Sequence, residues 1–187
     1  VKPPGLGSSF EVRIASDAAE LAAAVEATCR TDGVAIVEQR IDGREFTCAV
    51  LDDAHGGESR PLPVTEIVPE AGRFFDYEAK YLSGATREIT PAEIDAALTR
   101  KLQETARACH RLLRCSGVSR TDFIVAGDGA MFVLETNSIP GMTAQSLLPQ
   151  AAAAAGISFA ELLDRLIAHG RARHAGMAPR TPAHMDE

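Results

Sequence analysis

No long basic stretch appears anywhere in this chain, and its formal charge is −7 at pH 7. Nucleic-acid binders carry a basic footprint, so that class of partner is set aside. No apolar run approaches the ~20 residues that a bilayer-spanning helix needs, and the N-terminus shows no signal-peptide pattern. The expectation is a cytoplasmic protein with no nucleic acid and no membrane among its partners. The four cysteines, Cys29, Cys48, Cys109 and Cys115, contain no CxxC pair. Cys109 and Cys115 lie six apart on an expected helix and so do not share a face. They read as reduced, partly buried thiols rather than a zinc site. His55, His110, His169, His174 and His184 show no ligand spacing either and are assigned to the surface or to packing. No internal repeat occurs, and no low-complexity segment beyond Ala-rich helices.

Against those absences stands an ordinary globular balance, 45% apolar and 24% charged over 187 residues. That length suffices for one substantial core or two small lobes. The most informative stretch is 120–147. Phe123–Ala126 and Met131–Leu134 are short apolar runs separated by Gly127-Asp128-Gly129-Ala130, which predicts a β-hairpin with a four-residue loop. In that register Ala126 pairs with Met131 and Asp122 with Glu135, and opposed residues share a face. Asn137, two beyond Glu135, joins them if the strand continues, and Arg120 lies two before Asp122. Three hard oxygen donors suit Mg2+ shared with phosphate, with Mn2+ as a substitute. A neighbouring guanidinium can stabilise a transferring phosphoryl group. Two rim acids alone would read as solvated. Asn137, Arg120 and the irregular Pro140-Gly141 exit favour a metal site.

Elsewhere the pattern predicts a helix over 17–31, capped by Asp17 with Glu20, its apolar stripe at Leu21 and Val25. Val34–Arg40 and Glu45–Leu51 read as strands joined at 41–44, followed by a polar loop over 52–60 and a strand over 62–68. Leu82–Thr90 reads as a polar loop. Thr90-Pro91-Ala92-Glu93 predicts a helix start, with the helix running to about Cys115 on a stripe of Leu98, Leu102, Ala106, Cys109 and Leu113. Ser146 can cap a helix from Leu147 to Gly156, and a helix N-terminus there binds carboxylates well. Ser158 and Glu161 cap a last helix to about His169. Lys2, followed by a Gly/Pro/Ser stretch through Ser9, can hold phosphates, although such stretches are also plain loops.

The run Glu135-Thr136-Asn137-Ser138-Ile139-Pro140-Gly141-Met142-Thr143, thirteen residues after Asp122, resembles the metal-binding signature of D-alanine–D-alanine ligases, members of the ATP-grasp superfamily. The resemblance extends over roughly residues 1–170, because further motifs appear in order. It implies an α+β ATP-grasp fold, two lobes holding nucleotide between them. Residues 1–60 would be a partial small lobe, 61–170 the larger catalytic lobe and 171–187 a disordered tail. Lys2 and Ser8 match the phosphate lysine and loop serine. Glu38, Glu45 and the backbone at Gln39 and Ile41 match an adenosine clamp, and Arg44-Glu45-Phe46-Thr47 is similar to another family run. Phe74–Tyr81 resembles the lid, with Lys80 on ATP phosphate and Tyr81 closing over the acceptor, which favours an amine acceptor. Asp122, Glu135 and Asn137 would hold Mg2+, and Arg120 would stabilise the transferred phosphoryl group. Ser146, Leu147 and Gly141 would bind the acceptor amino acid.

The implied activity joins two D-alanines through an acyl phosphate for peptidoglycan precursor synthesis, with ATP as co-substrate; a lid matters because acyl phosphates hydrolyse in water. The family's dimers suggest a homodimer. The chain opens at Val1 rather than Met, so it is expected to be the ATP-grasp portion of a longer enzyme, lacking the N-terminal substrate domain and inactive alone. The alternatives are an ATP-grasp ligase with a different acceptor, or an isolated nucleotide-binding domain without activity.

Overall fold

A computed structural model describes residues 1–4, 11–53, 58–69 and 86–176. The order is α1 (Ala18–Asp32), β1 (Gly43–Leu51), β2 (Arg60–Pro61), β3 (Thr65–Pro69), β4 (Thr86–Ile89), α2 (Ala96–Leu112), β5 (Val118–Ala126), β6 (Met131–Asn137), α3 (Leu147–Ala154) and α4 (Phe159–Gly176). This is the expected α+β class. Five strands follow the path β4-β3-β1-β5-β6, and β2 pairs antiparallel with the end of β1, Val50 opposite Pro61 and Leu51 opposite Arg60. The described residues group into two units. One comprises Val1–Glu45, Ile67–Ile89 and Ile124–Phe132; the other comprises Phe46–Glu66, Thr90–Phe123 and Val133–Glu187.

In the first unit, α1 forms as its caps dictate. Asp17 accepts from the Glu20 N–H at 2.8 Å, and Gly33 ends the helix at φ +75° with its N–H on the Cys29 carbonyl. Its buried residues are Ala24 and Thr28, however, not the expected Leu21–Val25 stripe; Leu21 is 37% exposed. The expected hairpin of 34–40 with 45–51 is also absent among the described residues. Ile36 instead makes an isolated bridge with Lys2, and the strand begins at Gly43. Gly43 itself sits against β5. A Cβ there would meet the Val125 carbonyl oxygen at 2.4 Å, so the residue is pressed against β5 rather than free to turn. At the tip of β5, Ala126 donates to the Ala130 carbonyl and accepts from Gly129, whose φ is +84°. The turn therefore closes one residue tighter than an Ala126–Met131 pairing. Residues 86–89, expected in a loop, form β4.

In the second unit, Ala49, Leu51, Leu62, Leu148, Ala151, Ala152, Ile157 and Leu162 form one buried cluster. Each fully buried Leu contributes about 1.5–3 kcal/mol. The cluster fastens α3 and α4 to the face of β1 that also carries Thr47. β5 alternates strictly, with Ser119, Thr121 and Phe123 fully buried and Arg120 and Asp122 on the other face. α2 covers the Ser119 face through His110. α2 starts at Ala96, six residues after the expected Thr90. Asp95 accepts from both the Ala97 and Leu98 N–H groups, whereas Thr90 bonds the Thr65 hydroxyl and Ala92 N–H bonds the Val64 carbonyl. These contacts hold 90–92 to the sheet and delay the helix. Its buried line is Leu102, Ala106 and His110, so Leu113, expected inside, is 62% exposed. The strand expected over 62–68 begins only at Thr65 and runs to Pro69, with Leu62, Pro63 and Val64 between it and β2. Helix α4 continues to Gly176, past the expected end near His169, so 171–176 are helical rather than tail. An Arg165–Glu161 pair at 2.7 Å supports it along its exposed side.

Candidate metal and nucleotide site

The Asp122 carboxylate is the centre of the best-formed polar constellation. Arg120, two residues earlier on the same face of β5, grips it with two bonds, Nε to Oδ1 at 2.9 Å and a terminal nitrogen to Oδ2 at 2.8 Å. Such forked, charge-assisted pairs are among the strongest side-chain hydrogen bonds. Both side chains are partly accessible, 16% for Asp122 and 18% for Arg120. On β6, the Asn137 amide nitrogen lies 3.3 Å from Asp122 Oδ2 and 3.2 Å from Glu135 Oε1. The Thr121 and Thr136 hydroxyls meet at 3.0 Å between the same two strands. The structure therefore brings together the four residues that the hairpin pattern singled out.

The donor set fits a hard divalent cation. An amide N–H₂ group bridges the two carboxylates, so a group of positive partial charge sits where a cation would be held between them. The two ends of an amide have nearly the same outline, and the same side chain can present its oxygen instead. Among the described residues, no group of three or more His, Cys, Asp or Glu side chains could hold a metal. The hairpin set differs in containing two acids and an amide.

The other expected site residues fall into three groups. Lys2 and Glu38 come together: the Lys2 ammonium is 2.7 Å from Glu38 Oε1, and Lys2 and Ile36 exchange backbone hydrogen bonds at 2.9 Å. Gln39 is exposed, and Ile41 and Glu45 are half-buried. Gly141 and Ser146 also meet, since a Cβ on Gly141 would lie 2.8 Å from Ser146 Oγ. Ser146 occupies the N-cap of α3, directly before Leu147, but its hydroxyl does not cap the helix. It accepts from the Thr143 N–H at 3.0 Å and meets the Thr143 hydroxyl at 2.9 Å. Ser8, Lys80 and Tyr81, with the rest of the 74–81 stretch, lie outside the described residues.

Two features escaped the sequence reading. Thr47, buried on β1, donates to Asp122 Oδ1 at 2.6 Å. Its only signal was a place in the Arg44–Thr47 run. The second is Asp52, expected in a loop, which accepts from the Ser59 hydroxyl at 2.6 Å and the Gly117 N–H at 2.8 Å and pairs with His110 Nε2 at 3.0 Å. His110 Nδ1 in turn meets the Ser119 hydroxyl at 2.7 Å. Ser119 and His110 are buried, so this Ser–His–Asp chain offers no accessible nucleophile and serves as an internal tie. Burial opposes the charge on Asp52. The Ser59 hydroxyl, the Gly117 N–H and the charges of His110 and His169 outweigh it and hold the carboxyl below its ordinary value. All four cysteines are free, and burial pushes the Cys48 thiol up to about 12.

The α+β fold is that of ATP-grasp domains, as solved structures show. A ligase from Bacillus anthracis, described as a D-alanine–D-alanine ligase, superposes with a TM-score of 0.77 at 38% identity, covering 94% of this chain and 55% of that one. The same enzyme complexed with ATP superposes at 0.71 and 36% identity, covering 88% and 52%. The D-alanine–D-alanine ligase of Syntrophobacter fumaroxidans is 52% identical over 168 residues, 89% of this chain and 53% of its own length. The family model described as D-ala D-ala ligase C-terminus matches residues 1–168, and the chain belongs to that family. It spans about half the length of the curated relatives it matches. No helix among the described residues is long and apolar enough to cross a membrane.

Proposed function

We propose that this chain is the ATP-grasp portion of an ATP-dependent carboxylate–amine ligase that joins two D-alanines. The reaction would run through an acyl phosphate, in the cytoplasm, for peptidoglycan precursor synthesis. The observation that carries the reading is the convergence of Arg120, Asp122, Glu135 and Asn137 on one hairpin of a chain in this family.

In this reading Asp122, Glu135 and Asn137 would hold Mg2+, which would neutralise phosphate charge when bound. Arg120, already aligned with Asp122, supplies a guanidinium beside the transferring phosphoryl group. Lys2 and Lys80 neutralise phosphate, with Ser8 on the loop above it. Glu45, Glu38 and the backbone at Gln39 and Ile41 take the adenosine. Because Glu38 pairs with Lys2, phosphate binding at Lys2 would exchange an exposed ion pair of modest worth for a stronger partner. Ser146, turned away from its helix, has its hydroxyl beside Gly141, and with the Leu147 N–H it would orient the acceptor carboxylate. Tyr81 closes that side and excludes water. The family's habit extends the proposal to a homodimer.

The test is phosphate release with D-alanine, ATP and Mg2+ on the complete protein. Asp122→Ala is expected to lower turnover more than ~100-fold, in the range that loss of a transition-state electrostatic contact produces. Turnover within a few-fold of the starting protein would sink the metal assignment.

A further inference from the structure

Asp122 is held from below as well as from the side. Thr47 is 2% exposed, on β1 next to β5 in the sheet, and its hydroxyl lies 2.6 Å from Asp122 Oδ1 and 3.3 Å from the Thr121 carbonyl. A hydroxyl has one proton to give. The short contact to an ionised acceptor takes it, so the Thr121 carbonyl is a secondary neighbour. Oδ1 therefore receives two donors, the Thr47 hydroxyl and Arg120 Nε, while Oδ2 takes the Arg120 terminal nitrogen at 2.8 Å and the Asn137 amide at 3.3 Å, with Glu135 across that amide.

We propose that Thr47 is a positioning residue for the Asp122 carboxylate. Its hydroxyl pins Oδ1 on the buried side, so that Oδ2, beside the Asn137 amide, is the oxygen offered to a divalent cation between Asp122, Glu135 and Asn137. The forked Arg120 pair comes from the same strand and is partly accessible, and Thr47 adds a buried donor from the neighbouring strand that holds Oδ1 from inside the sheet. Thr47 is buried and acts through Asp122. Outer hydrogen bonds of this kind commonly set metal affinity by orienting the ligand. The proposal rests on the metal reading above.

The experiment is Mn2+ binding with ATP present, followed by electron paramagnetic resonance, with thermal melting of every variant as a fold control. Thr47→Val keeps shape and strand propensity but removes the donor, and is expected to weaken Mn2+ binding about tenfold. Thr47→Ser restores the donor and should bind within about twofold of the original protein, because the hydroxyl rather than the methyl is what acts. Asp122→Ala should bind no Mn2+ at this site. Valine binding as tightly as threonine, or serine binding as weakly as valine, overturns the positioning role while leaving the metal site in place. Asp122→Ala binding like the original protein overturns the metal reading itself, and the positioning role with it. If the valine variant fails to fold, Thr47→Ala against Thr47→Ser makes the same comparison of hydroxyl absent with hydroxyl present.

Discussion

Asp52 and Asp122 are carboxylates of equal accessibility, 16% each, and both use both oxygens. Their partners differ in kind. Asp52 is closed off by the Ser59 hydroxyl, the Gly117 N–H and the His110 ring, which is itself 2% exposed and passes its other nitrogen to buried Ser119. Asp122 is braced by Thr47 behind, but its other partners are an accessible arginine and an amide that can turn over. The first arrangement ends in the core, and the second ends at a partly accessible surface. Equal burial of a carboxylate therefore does not separate scaffold from the proposed site; the exposure of its donors does.

The comparison breaks if stability and function fail to divide along this line. The largest separation is expected between the two alanine variants. Asp122→Ala should lose turnover more than ~100-fold while its urea midpoint stays close to the original, since Arg120 regains water at its accessible edge. Asp52→Ala strands the buried His110 ring and the Gly117 N–H, and should lower the unfolding free energy by about 2–4 kcal/mol. Equilibrium urea unfolding of both variants measures this. If Asp122→Ala is the less stable of the two, the division is wrong.

A second, smaller effect lies in acid. The folded Asp52 carboxyl ionises more readily than an unfolded one, so between the two values the native chain binds fewer protons. Its contribution is fully present above the ordinary carboxylate range, about pH 4, and is lost as pH falls through the lowered folded value. Asp52→Asn should flatten that part of the stability–pH profile, and a profile unchanged by the substitution would contradict the assignment. The smallest expected effect concerns the thiols. With burial holding its thiol near 12, Cys48 should be the last of the four to react with a thiol reagent at neutral pH, as mass spectrometry of timed labelling would show. Early labelling of Cys48 would mean that the β1 core opens readily.

These two carboxylates also mark how far the sequence could be read. The Asp122 set was legible because its members lie on one hairpin, where strand alternation and a Gly-rich turn place residues on a face by counting. Even there the turn closed tighter than expected, since Gly129 adopts a left-handed backbone that the count did not anticipate. Thr47 was invisible for a different reason: its partner is on a strand that neighbours β1 only through the sheet order, and local pattern does not give that order. The Asp52 tie draws on the segment after β1, on α2 and on the entry to β5, so no window of sequence contains it. The helix start at Asp95 was missed because Thr90 and Ala92 are held by the sheet, a tertiary contact that overrode a strong local capping signal. In place of the 34–40 strand, Ile36 pairs with Lys2, more than thirty residues away in sequence. What the residues fixed locally, such as the Asp17 cap, the Ser158 cap and the alternation of β5, appears as expected.

β1 is buried on both faces from Phe46 to Leu51, and its side chains alternate. Thr47, Ala49 and Leu51 point one way, and Phe46, Cys48 and Val50 the other. A slip of one residue against β5 would leave the strand just as apolar and nearly as well packed, but would set a phenyl ring or a thiol against Asp122 in place of a hydroxyl. Apolar burial alone therefore separates the two alignments only weakly. Gly43, which leaves no room for a side chain beside Val125, supplies the missing preference. A single hydrogen atom at position 43 thus works as an alignment pin for chemistry four residues away.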